Sequence, residues 1–189
     1  MISGNLEYLV SSLPSLTFQN TPEKRERVVG LLETYAGPTA KDLSLPEILD
    51  IEAQKFLSPS TFEVFEKINL RNIHESEFQE SKSIVLSSFS KFSHELKEDI
   101  RRWRISHNDH EEKSPKSKVG KIIGQGTPLE KEIQIMKYQW EKLEEISVGH
   151  FANTEALTTY KIKLMILLRW WSFHTEKGFE NFVQMTANH

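Results

Sequence analysis

The sequence predicts a mostly α protein, an elongated helical bundle with a short N-terminal extended segment, and three observations point there. Apolar residues recur at steps of three and four through most of the chain, serine-led start signals precede several of those stripes, and no alternating strand pattern persists beyond the first residues. The 189 residues fit a single helical domain, 1–189, with a flexible connector near 106–128.

Taken in order, Glu7-Tyr8-Leu9-Val10-Ser11-Ser12-Leu13-Pro14 reads as extended, brought to an end by the fixed φ and missing amide of Pro14. Val28, Val29, Leu31, Leu32 and Tyr35 then fall at helical spacing, with Gly37-Pro38 as a stop. Ser44-Leu45-Pro46-Glu47 is a capping box, in which serine oxygen and glutamate each satisfy an amide left open at a helix start. Leu45, Ile48, Leu49, Ile51 and Phe56 carry that helix to about residue 57. Ser58-Pro59 restarts the pattern, because proline at the first helical position loses no hydrogen bond, and Phe62, Phe65 and Ile68 share the next face.

Phe78, Val85, Phe89, Phe92, Leu96, Ile100 and Trp103 form the longest stripe and predict a helix over 76–105. Such a helix would span about 45 Å. A globule of this size has a radius of gyration near ~16 Å, so an elongated shape or a kink is expected. Ser87, Ser88 and Ser93 are the helix-weak positions where a bend would fall. Residues 106–128 are polar, then broken by Gly120, Gly124, Gly126 and Pro128, and read as the connector. Leu129, Ile133, Met136, Trp140, Leu143 and Ile146 predict the next helix, ending at Gly149. Asn153 or Thr154 caps the last long helix, whose residues from Leu157 to Trp171 are apolar nearly all round, so it should lie centrally. Gly178 breaks it, and Phe179, Phe182, Val183 and Met185 suggest a final amphipathic turn.

Composition removes several function classes. Lys plus Arg is 24 and Asp plus Glu is 27, a formal net charge of −3, which argues against a general nucleic-acid binder. With no cysteine there are no disulfides, thiolate metal sites or cysteine nucleophiles. The N-terminus lacks a cationic start with an apolar stretch behind it, and the run Leu164-Met165-Ile166-Leu167-Leu168 is far short of the ~20 residues that cross a bilayer. A cytoplasmic chain is expected, peripheral to the inner membrane only through a complex.

Chemistry-bearing patterns are weak. His107-Asn108-Asp109-His110-Glu111-Glu112 has metal-ligand residues but falls in the connector, where nothing rigid would orient them. Gly120 to Thr127 lacks the Gly-Lys-Ser/Thr ending of a phosphate loop. The pairs Glu111-Glu112 and Glu144-Glu145 would diverge by about 100° on a helix. No Gly-x-Ser-x-Gly elbow is present. No catalytic residue, cofactor, metal or small-molecule ligand is therefore expected, and the chain reads as a non-enzyme. The best surface candidates are cationic. Lys97, Arg101 and Arg104 form a stripe beside Trp103, either a solvated helix face or a docking surface for an acidic partner protein. Arg169 and Trp171 are the second candidate, since Trp and Arg anchor interfaces; two consecutive tryptophans cannot both face one core, so one reaches a neighbouring helix or a partner, and Trp171 reads as either core or interface.

Tyr8-Leu9-Val10-Ser11-Ser12-Leu13-Pro14 resembles the opening of a bacterial family known only as a domain of unknown function. The C-terminal half is similar to the same family through Trp140-Glu141-Lys142-Leu143-Glu144, Gly149-His150-Phe151, Tyr160-Lys161-Ile162-Lys163-Leu164, Ile166-Leu167-Leu168-Arg169-Trp170 and Glu176-Lys177-Gly178. The resemblance implies a gene neighbour of V/A-type rotary ATPase subunits, in operons that lack the usual socket subunit, the helical, non-catalytic piece joining central stalk to rotor ring. It thus implies a non-catalytic accessory or central-stalk-like subunit of a bacterial V/A-type ATPase, equivalent to that socket, with other ATPase subunits as protein partners, no nucleic acid and no direct membrane insertion. The alternative is a helical adaptor with an unrelated partner, which predicts an exposed apolar patch near Trp171 or the final turns.

Overall fold

A computed structural model describes residues 6–36, 42–108, 118–124 and 126–173, and every regular element among them is a helix. The expected extended start is instead helix α1, Leu6–Ser12. Leu6, Leu9, Val10 and Leu13 are spaced i, i+3, i+4, i+7, and that period places Leu9 in the core. Pro14 ends the helix by disfavouring helical geometry at Leu13. Thr21 then accepts the Lys24 amide at 3.3 Å and starts α2, Pro22–Ala36, which buries Val28 and Leu32 one turn apart.

Helix α3, Leu45–Gln54, has the predicted capping box, with the Ser44 amide and hydroxyl both donating to Glu47 Oε2 at 2.7 Å. It stops three residues short of the expected end. Helix α4, Pro59–Lys67, begins on the Ser58 cap and buries Phe65.

The predicted thirty-residue helix is two: α5, Ser76–Gln79, and α6, Ile84–Asn108. The break falls in the one step of seven in the apolar stripe, between Phe78 and Val85. A tertiary contact fixes it there. The Ser83 hydroxyl donates to Glu155 Oε2 at 2.6 Å, and the Ile84 and Val85 amides donate to the same carboxylate at 3.2 and 3.0 Å. Ser83 Oγ in turn accepts the Leu86 amide at 3.1 Å. Glu155 sits in the first turn of its own helix and also neutralises the start of α6. Glu155→Ala is expected to destabilise the fold by about 2 kcal/mol in urea unfolding, with Glu155→Gln recovering part of it; a loss near zero would mean that the break has another cause. Helix α6 runs without interruption through Ser87, Ser88 and Ser93 for 25 residues, about 37 Å. The length that suggested an elongated shape is thereby reduced.

The connector also holds structure: α7, Lys118–Ile123, whose Val119 and Ile123 lie four apart and are both buried. Residues 109–117, with most of the predicted metal-like run, lie outside the described residues, as do Gly37-Pro38 and the predicted final turn at 179–185. Helix α8, Pro128–Ile146, starts on a second capping box, Thr127 with Glu130. Gly126 just before it has φ +88, and a side chain there would meet Glu130 Oε2 at 2.9 Å. Both capping glutamates are held below the ordinary value of 4.5, Glu47 by Ser44's hydroxyl then amide, Glu130 by Thr127's amide then hydroxyl. A lowered folded-state value contributes stability that is full above 4.5 and lost as pH falls through it. Glu47→Gln/Glu130→Gln should therefore flatten the acid limb of stability below pH 4.5, measured by urea unfolding across pH; an unchanged limb would place the acid sensitivity elsewhere.

Helix α9, Thr154–Trp171, is capped by Asn153, whose side chain accepts the Ala156 amide at 3.0 Å. It packs against α1, α3, α6 and α8, and Ile162, Leu164, Ile166 and Leu167 are all fully buried, so it occupies the centre as its all-round apolar sequence requires. Among the described residues no helix is long and apolar enough to cross a membrane.

Candidate functional site

The second half of α6 turns Leu96 into the core and leaves Lys97, Arg101 and Arg104 outside, four and three residues apart on one face. This face borders a groove of about 940 Å³ that α8 lines with Glu132, Ile135 and Gln139. The turn after α4 contributes Arg71 and His74, and α9 contributes Arg169 near its C-terminal end. Four of the five residues singled out from sequence, Lys97, Arg101, Arg104 and Arg169, thus line one surface, although Arg169 lies 65 positions beyond Arg104. Arg71, His74 and Glu132 carry no sequence signal; nothing local to them indicates that they meet α6.

Among the described residues the groove is cationic on balance, since Arg71, Lys97, Arg101, Arg104 and Arg169 are set against two carboxylates, Glu98 and Glu132. Arg101 approaches Glu98 at 3.8 Å but is 72% exposed, so water screens the pair and leaves most of its charge available. Lys97 Nζ lies 2.7 Å from His74 Nε2; the ammonium donates, so that ring nitrogen accepts. Arg169 reaches Glu132 at 2.5 Å and ties α9 to α8 across the groove.

Trp171 does not join them. It is 7% exposed and donates its indole N–H to the Gln19 carbonyl at 3.1 Å, pinning the segment between α1 and α2 to α9. The reading of Trp171 as a partner-facing residue is corrected accordingly. Trp170 is half-buried and stacks on Phe18 at 4.4 Å between centroids, and Phe18 also meets Trp140 at 5.6 Å. Both consecutive tryptophans are thus covered, each by a different neighbour. Among the described residues of the C-terminal half, the most exposed large apolar side chains lie instead at the α8–α9 turn, where Val148 is 77% and Phe151 84% exposed.

A second cavity, of about 650 Å³, shares Leu70, Arg71 and Arg169 with the groove and reaches Lys161 and Asp50. Lys161 is 1% exposed in the middle of α9, with its ammonium 2.6 Å from Asp50 Oδ1 and donating to the Phe65 and Glu66 carbonyls at 2.7 and 3.2 Å. Burial pushes the lysine below its ordinary value and the Asp50 carboxyl above its own, while each partner opposes the other's shift. A buried lysine with a lowered value is the usual profile of a nucleophilic amine. Here its three N–H groups match three acceptors, so the nitrogen has no free position to offer a substrate, and its role is to tie α3, α4 and α9 together. The sequence cue is a lysine on a helix apolar all round, which must find acceptors inside. Of the adjacent carboxylates, Glu144 binds Lys163 on α9 at 3.1 Å and Glu145 binds Lys142 at 3.0 Å, so the pair diverges. Among the described residues, no group of three His, Asp or Glu is placed to hold a metal.

Against known families, residues 62–188 match the model of a family described as Protein of unknown function (DUF2764). The match begins inside α4 and includes the whole groove. No curated protein and no solved structure matches the chain.

Proposed function

Because the chain belongs to the DUF2764 family, whose function is unknown, its role has to be read from its own surface, and we propose that it is a non-catalytic accessory or central-stalk-like subunit of a bacterial V/A-type ATPase that docks an acidic partner in the cationic groove. The observation that carries the docking role is the convergence of Lys97, Arg101, Arg104 and Arg169 on one concave surface of a chain whose overall charge is −3. For the assembly, the support is the resemblance of the C-terminal run, which implies a gene neighbour of rotary ATPase subunits. A non-catalytic role agrees with the saturated donors of Lys161, the buried amine that the second cavity reaches.

Native electrophoresis of gently solubilised membranes tests the reading. The protein should migrate with the ATPase catalytic subunits; running alone beside an intact ATPase would contradict it. A helical adaptor with an unrelated partner is the second reading, favoured by the bare Val148 and Phe151 at the α8–α9 turn. That surface lies beyond the opposite end of α8 from Glu132, and Phe151→Ser would abolish partner binding if it carried the function.

A further inference from the structure

The groove has a length and a lining that restrict its occupant. Along α6 it extends from Ser93 to Ile105, about 18 Å or three helical turns. Its apolar lining is aliphatic, with Ile73 and Leu96 buried, Ile100 half-buried and Ile105 largely exposed, facing Ile135 of α8. The cations come from three separate elements: Arg71 from the turn after α4, the Lys97–Arg101–Arg104 stripe from α6, and Arg169 from α9. An extended acidic peptide would satisfy the cations and leave the accessible part of the aliphatic lining, Leu70, Ile100, Ile105 and Ile135, in water. An amphipathic helix satisfies both, its apolar face on that lining and its carboxylates toward the guanidiniums.

We propose that the groove seats a helix of about three turns from a partner protein, with aliphatic residues at i, i+3, i+4 and i+7 spacing and Asp or Glu flanking them. The assignment rests on the reading above that this groove is the docking surface. Single-stranded nucleic acid is the rival occupant of a basic groove, but it needs a series of aromatic platforms for its bases, and among the described residues no Phe, Tyr or Trp lines this one, the single ring being the His74 imidazole, which is engaged by Lys97.

The test is fluorescence anisotropy of the full chain with a labelled peptide about three turns long, leucines on one face and glutamates beside them. Three controls are run: glutamates replaced by lysines, leucines scattered around the helix, and an oligothymidylate. The glutamate helix should bind at least about tenfold tighter than every control, and Arg101→Glu/Arg104→Glu should weaken it about tenfold or more. Arg101 and Arg104 are solvent-exposed, so that variant should keep its circular dichroism and melting temperature, and Ile105→Asp, at a largely exposed position, provides an independent loss through the aliphatic lining. Equal binding of the glutamate and lysine helices, or oligothymidylate binding as tightly, would overturn the assignment. No ATPase subunit is present in this measurement. Peptide discrimination without ATPase association would therefore refute only the assembly, and association without discrimination would refute only the helix.

Discussion

Replacing Lys161 by methionine is expected to cost about 3–5 kcal/mol of stability in urea unfolding, the effect of breaking a buried ion pair from one side. Methionine keeps most of the aliphatic stem, so the loss isolates the ammonium. Left behind are the Asp50 carboxylate, whose side chain is only 16% exposed, and the Phe65 and Glu66 carbonyls that accepted from the lysine. The favourable placement of the ammonium 4.5 Å from the centre of the Phe65 ring is lost as well. Burial penalises both charges, and a buried ion pair adds little net stability over apolar packing of the same volume. Lys161→Met/Asp50→Leu should accordingly recover at least about 2 kcal/mol of the single-variant loss, because the orphan charge goes with the second change. A single variant within about 1 kcal/mol of wild type would mean that α3, α4 and α9 are not held by this contact.

Trp171→Ala is the second large effect, expected at about 3–5 kcal/mol, or roughly 10 °C in Tm for a chain of this size. The indole fills core volume at the end of α9, and its N–H holds the Gln19 carbonyl, so the segment carrying Phe18 loses an anchor as well as contacts. Trp171→Phe keeps most of the volume and drops the hydrogen bond, and should cost about 1–2 kcal/mol. The pair of variants separates a core tryptophan from an interface anchor. An anchor on the surface would leave Tm unchanged on truncation and lower only partner affinity.

Local chemistry makes much of the helical frame legible. Ser44, Ser58 and Asn153 announce their helices because a cap depends on residues within one turn. The break at 80–83 is legible only in part: Ser83, which accepts the Leu86 amide from within one turn, is a local start signal, whereas the Glu155 carboxylate that also binds there lies more than seventy positions away. Helix α1 misleads because Tyr8, Val10 and Pro14 favour extended backbone individually, while the spacing of Leu6, Leu9 and Leu13 decides the matter collectively. In α7, glycine and lysine obscure a short pattern of three apolar residues, and tertiary burial of Val119 and Ile123 selects the helix.

The groove divides along the same line. Its α6 stripe follows from spacing on one helix, whereas Arg71, His74 and Glu132 are brought to it by packing alone. Arg169 stands out in the sequence for its tryptophan neighbours, yet what places it is the ion pair to Glu132. The outward assignment of Trp171 rests on the premise that adjacent side chains point apart. They do, but α9 is covered on nearly every side, so both directions lead to protein.

Docking of this chain to an ATPase through the cationic groove is open to affinity purification of tagged wild type and Arg101→Glu/Arg104→Glu from gently solubilised membranes. With bound proteins identified by mass spectrometry, wild type should retain the catalytic and central-stalk subunits of the ATPase at moderate salt, and the charge-reversed variant should lose them while remaining folded. Recovery of wild type alone, with the ATPase intact elsewhere, or equal retention by both proteins, would mean that the groove does not dock this chain to the ATPase.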